Sequence, residues 1–194
     1  MIKTIETLSF EYKDYANLYN KINRDERDGR LFKLKRGLYE TSATAEPFPI
    51  ANVLVTPSYI SFETAMSFYG LIPERVYLIK SATYKKNKTK KFENHFGTFF
   101  YQDVEKKAYP FGIDIIEIGE LPVMIASKEK CVLDMLSVVS PRSNFTELKN
   151  LLFDDLRIDE EVFDSLDKNM ILDLSKHYSS STVKLLGKYI GDLK

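Results

Sequence analysis

The basic side chains gathered between residues 20 and 36 are the part of this sequence best suited to bind a ligand, and the ligand they suit is phosphate. This stretch holds seven lysines and arginines against three acids, a local charge of +4 in a chain whose net charge is zero. A buried core has no use for so many cations, whereas a surface that meets phosphate groups does. A solvated surface with ordinary charges carries the same pattern, so both interpretations stay open.

The same stretch carries side chains that can recognise bases in DNA. Asparagine bonds bidentately to adenine, and arginine bonds bidentately to guanine, in the major groove. A helix here would turn Leu18 and Ile22 inward and leave a polar outer side. The candidate contacts from this helix are Tyr19, Asn20, Lys21, Asn23, Arg24 and Arg27. Three cations of the next segment would reach the adjacent DNA backbone: Lys33, Lys35 and Arg36.

Two further charged stretches stand out in the chain. Residues 80–91 hold six lysines and no acid, and residues 145–167 have a local charge of −6. Opposed patches on one chain indicate more than one partner. The lysine run suits nucleic acid, an acidic partner or a solvated loop. An alternative function is therefore a protein-interaction module in which the acidic stretch or the lysine run docks a partner directly.

Catalytic motifs are missing from the sequence. It has no P-loop, no GxGxxG, no GxSxG and no HExxH. Its two histidines and single cysteine have no metal-ligand spacing. We therefore expect no enzyme activity, no cofactor and no metal. The enzymatic alternative is a metal-dependent nuclease that uses Asp114 and Glu117, although Gly119 occupies the position where such sites need a lysine.

The composition also predicts where the protein works. No run of about 18 apolar residues occurs, which argues against a transmembrane helix. The N-terminus lacks the apolar stretch of a signal peptide. Cys131 has no partner for an intramolecular disulfide, as suits a reducing compartment. We therefore expect a cytoplasmic protein that does not engage a membrane.

The elements that must position the basic stretch are predicted within residues 1–45. A first helix is expected within residues 2–16. A second helix is expected from residue 18 to about residue 28, with Asn17 as its N-cap. Two short strands then flank a turn at residues 35–37. Helix, turn, helix and hairpin is the layout of a winged helix-turn-helix DNA-binding domain.

Residues 46–194 are predicted to form a mixed domain. The small, proline-bearing segment 41–52 is expected to be a linker or a crossing segment, and a helix is expected over residues 61–69. Residues 75–83 and 96–104 have strand composition. Between them lies KKNKTKK, which predicts a β-hairpin with a lysine-rich turn.

The remainder is predicted as a second strand pair and a set of helices. Strands are expected over residues 113–119 and 122–126, followed by a helix over residues 128–139 that Ser127 caps. Residues 145–194 are expected to be mostly helical. Their apolar faces include Leu148, Leu151, Leu152, Leu156, Phe163, Leu166, Ile171, Leu172, Leu174, Val183, Leu185, Leu186, Tyr189, Ile190 and Leu193. The predicted fold class is α+β, with a small, mostly antiparallel sheet and a helical C-terminal region.

Four phrases of the sequence together resemble one protein family. They are GRLFKLKRGLYE (29–40), IANVLVTPSYISFETAMSFYGLIPERV (50–76), FGTFFYQ (96–102) and IASKEKCVLDML (125–136). In order and spacing the chain resembles the AbiEi-type antitoxins of type IV toxin–antitoxin systems over roughly residues 10–140. The block from PSYIS to GLIPE is the most specific of these phrases.

The resemblance implies a function for each part of the chain. It implies that an N-terminal winged helix binds the promoter of its own operon, and that residues 46–194 form an AbiEi-like antitoxin domain. The implied protein is a transcriptional autorepressor of a system that protects against phage by abortive infection. Its implied functional partner is a nucleotidyltransferase-like toxin, which it counteracts without a stable complex.

Overall fold

The computed structural model of the chain describes residues 1–192, so the predicted apolar position Leu193 lies outside the described residues. The described part contains nine α-helices, a π-helical segment and nine strands in two sheets. The predicted α+β class is confirmed.

A three-stranded antiparallel sheet with two helices forms the start of the chain. The elements are β1 (Ile2–Thr4), α1 (Ile5–Glu11), α2 (Leu18–Arg27), β2 (Phe32–Lys35) and β3 (Leu38–Glu40). The strand order is β1-β3-β2. The sequence did not predict β1, which pairs antiparallel with β3. This pairing provides hydrogen-bond partners for backbone N–H and C=O groups on the outer edge of β3.

The ends of α2 follow from two capping signals. The side chain of Asn17 accepts a hydrogen bond from the backbone N–H of Asn20 at 3.0 Å, as expected for an N-cap. After the helix, Gly29 adopts a φ of +69°, a left-handed conformation that glycine takes at little cost. The predicted second helix and hairpin are therefore confirmed within a residue or two.

The small sheet lies between α1 and α2 on one face and the larger part of the molecule on the other. Its first face contributes to a small core made of Leu8, Ile22, Leu31 and Tyr39. From the opposite face, Leu34 and Leu38 belong to the main core. The predicted boundary at residue 45 therefore separates two sets of elements that share a packed apolar interface.

The rest of the chain is built on a six-stranded mixed sheet. Its elements are α3 (Pro47–Leu54), β4 (Tyr59–Ile60), α4 (Phe62–Phe68), β5 (Leu78–Thr83), β6 (Lys90–Asn94), β7 (Gly97–Asp103), β8 (Ile113–Ile118), β9 (Leu121–Ala126) and α5 (Lys128–Val138). The strand order is β6-β7-β5-β4-β9-β8. The pairs β4–β9 and β5–β7 are parallel, and the other three pairs are antiparallel.

Two local predictions for this region are wrong. The segment predicted as a linker contains α3, which begins with Pro47 at a position where its missing N–H costs nothing. The predicted hairpin between β5 and β7 does not form, because these two strands are parallel neighbours. Instead β6, which includes the last two lysines of the run, pairs with β7 across a two-residue turn.

The helical C-terminal third is as predicted. It contains α6 (Phe145–Lys149), the π-helical segment (Asn150–Asp155), α7 (Glu160–Asp164), α8 (Lys168–Ser175) and α9 (Ser181–Asp192). The predicted apolar positions that are fully buried there are Leu148, Leu151, Leu152, Phe163, Leu166, Ile171, Leu174, Val183, Leu186 and Ile190. The other predicted positions in the described residues are half-buried: Leu156, Leu172, Leu185 and Tyr189.

Candidate nucleic-acid interface

Helix α2 presents a polar face to solvent and an apolar face to the small core. Ile22 is buried, and Leu18 is half-buried. The outer face carries five of the predicted contact residues, all exposed: Tyr19, Asn20, Asn23, Arg24 and Arg27. A shallow groove adjoins this face at the start of the helix, lined in part by Tyr15, Asn20 and Arg24.

Two of the three acids of the basic stretch are bound within the protein rather than opposing the outer face. Asp25 is buried and accepts hydrogen bonds from Lys21 Nζ, at 2.6 and 2.7 Å, and from Arg30 Nε at 2.8 Å. Arg30 also pairs with Asp28. Arg24 and Arg27 form no ion pair with any of residues 1–192. Their charges are therefore available to a ligand.

The environment of Asp25 changes its acidity. Burial by itself would raise the pKa of Asp25, but hydrogen bonds from Lys21, Tyr12 and Arg30 prevail and lower it to about 2. Burial and the contact with Asp25 raise the pKa of Tyr12 to about 12. At neutral pH the Asp25 carboxylate is therefore charged and pairs with Lys21 and Arg30.

The lowered pKa of Asp25 predicts a specific pH dependence of the stability of the fold. The pKa of Asp25 is lower in the folded protein than the value near 3.9 of an unfolded chain. Its stabilising contribution is therefore complete above about pH 4 and is lost as the pH falls toward 2. Urea unfolding between pH 5 and pH 2 should show a smaller loss of stability for Asp25→Asn than for the parent. Identical pH profiles would contradict this assignment.

The hairpin cations differ in what they contact. Lys33 and Arg36 are exposed. The ammonium of Lys35 is half-buried and donates a hydrogen bond to the carbonyl of Leu54 at 2.6 Å, at the C-terminus of α3. A cation is favourable there because of the helix dipole. Of the nine predicted contacts, Lys21 and Lys35 are thus engaged within the protein, and the other seven are exposed.

The carboxylates of the nuclease alternative do not lie together. Asp114 and Glu117 are three residues apart in β8, so they point to opposite faces of the sheet. They lie opposite Ile125 and Pro122 of β9. Within the residues that the structure describes, no group of three or more histidine, cysteine or acidic side chains is arranged to hold a metal ion.

Three of the eight acids of the stretch 145–167 accept backbone hydrogen bonds at the starts of helices. Asp159 accepts a hydrogen bond from the backbone N–H of Val162 and caps α7. Asp167 caps α8 in the same way. Glu147 accepts a hydrogen bond from the backbone N–H of Ser143. Capping accounts for part of the negative charge that the sequence concentrates here.

Comparison of the sequence with protein-family models and with curated proteins found no match. The resemblance to the AbiEi-type antitoxins therefore stays a prediction that rests on the quoted phrases. As for a membrane, no helix within residues 1–192 combines the length and apolarity that spanning a bilayer requires.

Two of the phrases that carry the resemblance meet in one fully buried polar network. Lys130 and Asp134 of α5 are completely inaccessible to solvent. Tyr59 donates a hydrogen bond to Asp134 Oδ2 at 2.9 Å, and Ser61 donates one to the same oxygen at 2.8 Å. Tyr178, from the loop between α8 and α9, donates one to Asp134 Oδ1 at 2.7 Å.

The lysine of this network is fully satisfied. Its Nζ donates to the carbonyl of Ala108 at 2.8 Å and to the hydroxyl of Tyr178 at 2.7 Å, and it lies 3.1 Å from Asp134 Oδ1. Burial lowers the pKa of Lys130, and the adjacent Asp134 opposes that shift. The network fastens α5 to β4 and to the C-terminal helices. Tyr59 and Ser61 of the PSYIS block therefore have a structural role in the packing of the domain.

The sequence did not identify Lys130 and Asp134. A signal for this buried pair was present in the sequence. In KCVLDML, a lysine and an aspartate stand four residues apart, and the residues between and after them are apolar. Charges on such a helix must be paired when it is buried.

Proposed function

We propose that the protein is a DNA-binding antitoxin and transcriptional autorepressor of a type IV toxin–antitoxin operon. In this proposal the first 45 residues act as a winged helix-turn-helix: α2 enters the major groove, and the β2–β3 hairpin is the wing. Residues 46–194 carry the antitoxin function against a nucleotidyltransferase-like toxin. The protein acts in the cytoplasm, without catalysis, cofactor or metal.

The single observation that carries the DNA-binding proposal is the composition of the exposed face of α2. It combines Asn20, Asn23 and Arg24, whose side chains can bond to base edges, with Arg27 for the backbone. Asp25 and Asp28, which would repel phosphate, pair with Lys21 and Arg30 instead. The antitoxin half of the proposal rests on the resemblance of the quoted phrases.

Binding to DNA from just upstream of the gene tests the first half. The full chain should bind this fragment more tightly than a scrambled fragment of equal length, and both affinities should fall as salt rises. Equal and weak binding to both fragments would mean that the basic stretch is a solvated surface or a generic phosphate surface.

The second half is tested with the product of the neighbouring gene. Co-expression of the full chain should restore growth to cells that the nucleotidyltransferase-like protein inhibits, and the two proteins should separate on gel filtration. A stable complex would instead favour the alternative of a protein-interaction module that docks its partner directly.

A further inference from the structure

The two lysine-rich stretches of the chain, which the sequence separates by more than forty residues, lie side by side in the structure. Strand β2 of the hairpin packs against β6, the strand that ends the lysine run. The side chain of Asn94 donates a hydrogen bond to the carbonyl of Leu34 at 3.2 Å, and the rings of Phe32 and Phe96 are 5.9 Å apart. The turn of the hairpin therefore lies at the same end of the molecule as the start of β6.

One lysine from each basic stretch donates a hydrogen bond to the same backbone segment, residues 54–56. Lys35 from the hairpin donates to the carbonyl of Leu54, and Lys86 from the lysine run donates to the carbonyl of Thr56 at 2.9 Å. Burial lowers the pKa of Lys35, and the nearby positive charge of Lys90 lowers it further. Arg36 and the lysine loop, residues 84–89, thus belong to one positively charged surface.

The lysine loop is held in a defined shape. Asp103 Oδ2 accepts hydrogen bonds from the backbone N–H groups of Lys86 and Asn87, both at 2.8 Å. Its other oxygen accepts one from Thr83 Oγ1 at 2.7 Å. A loop anchored in this way loses little conformational entropy when it binds a ligand.

The outward-facing lysines of this loop form no ion pair, since the nearby carboxylate of Asp103 is bound to the loop backbone. Lys85 and Lys88 are exposed and form no ion pair within the described part of the chain, whereas Lys91 of β6 pairs with Glu93. These two cations extend the charge of the wing rather than balance it.

We propose that the lysine loop is a second contact with the DNA backbone. In this arrangement the duplex that α2 and the wing bind extends across the lysine loop. This inference rests on the proposed function and deepens it. The loop is continuous with the wing, and its free cations are the exposed lysines Lys85 and Lys88, whose charges suit the phosphate backbone. The contact is therefore to phosphates and is the same on every DNA sequence.

The test is the salt dependence of DNA binding by the full-length double variant Lys85→Gln/Lys88→Gln. The probes are the fragment from upstream of the gene and the scrambled fragment. If each lysine neutralises one phosphate, the slope of log affinity against log salt should flatten by about 1.8 on both fragments. The matched control is Lys184→Gln/Lys188→Gln, which removes the same charge from α9, a helix that packs on α5, α6 and α8. Its slope should equal that of the parent.

The outcomes separate this inference from the proposed function. If the parent prefers the upstream fragment and the loop variant keeps the parent's slope, the lysine loop does not touch DNA, while the proposed function stands. If the parent shows no preference but the loop variant flattens the slope, the repressor function fails and the phosphate contact stands. If the parent binds neither fragment, both fail.

Discussion

Asp134→Ala is expected to lower the free energy of unfolding by about 3–5 kcal/mol, because it removes one partner of a buried ion pair. The substitution leaves the Lys130 ammonium in a site with no access to water. It also takes the acceptor from three hydroxyl groups, those of Tyr59, Ser61 and Tyr178. An unsatisfied buried polar group costs about 1–3 kcal/mol, so the effects reinforce one another.

Urea unfolding of the full chain measures this effect, and a surface pair provides the control. Asp173 of α8 pairs with Lys176, the residue that follows the helix, and both side chains are largely exposed. Asp173→Ala removes the same charge and should cost less than about 1 kcal/mol. The double variant Lys130→Met/Asp134→Leu should recover part of the stability lost in Asp134→Ala, since it removes both charges together. If Asp134→Ala costs no more than Asp173→Ala, the network does not hold the domain together.

The parts of the fold that the sequence predicted well are those with local signals. Helix α2 has an N-cap asparagine and a glycine after its end, and α5 begins at the predicted cap Ser127. These signals act between residues a few positions apart, so they can be recognised without the rest of the chain. The C-terminal helices were predicted for the same reason, from the spacing of their leucines.

The errors concern pairings between distant segments. Strand β1 exists because β3, more than thirty residues later, offers it an edge. The parallel pairing of β5 with β7 is likewise non-local. Nothing in the lysine run indicates that β6 forms the edge of the sheet, next to β7. Local composition predicts that a segment is a strand but does not determine its neighbour.

The candidate site was predictable in its residue types but not in the contacts of each side chain. The spacing on α2 correctly turned Ile22 inward, and it placed Arg24 and Arg27 outward. The prediction did not include the pairing of Lys21 with Asp25 or the contact of Lys35 with the end of α3. The first contact is a pair four residues apart within α2, a spacing that the sequence does show, whereas the second depends on how the hairpin packs against α3.

Arg24→Ala is expected to weaken binding to the upstream DNA fragment by roughly 5- to 150-fold, the range for loss of one bidentate contact to a base. The preference for this fragment over scrambled DNA should fall with it. Arg24 is exposed and has no ion pair among residues 1–192, so its removal should change stability by less than about 0.5 kcal/mol. A loss of binding without a loss of stability would therefore report on recognition itself.

Two matched variants distinguish base recognition from attraction by charge. Arg75→Ala removes the same charge from an exposed position beside Tyr77, outside the small sheet and its helices, and should leave binding unchanged. Lys33→Ala should weaken binding to both fragments alike and flatten the salt slope by about 0.9, because a phosphate contact carries no sequence information. If Arg24→Ala behaves like Lys33→Ala, α2 contacts only the backbone. If it behaves like Arg75→Ala, α2 is not the recognition helix, and the bases must be read elsewhere on the molecule.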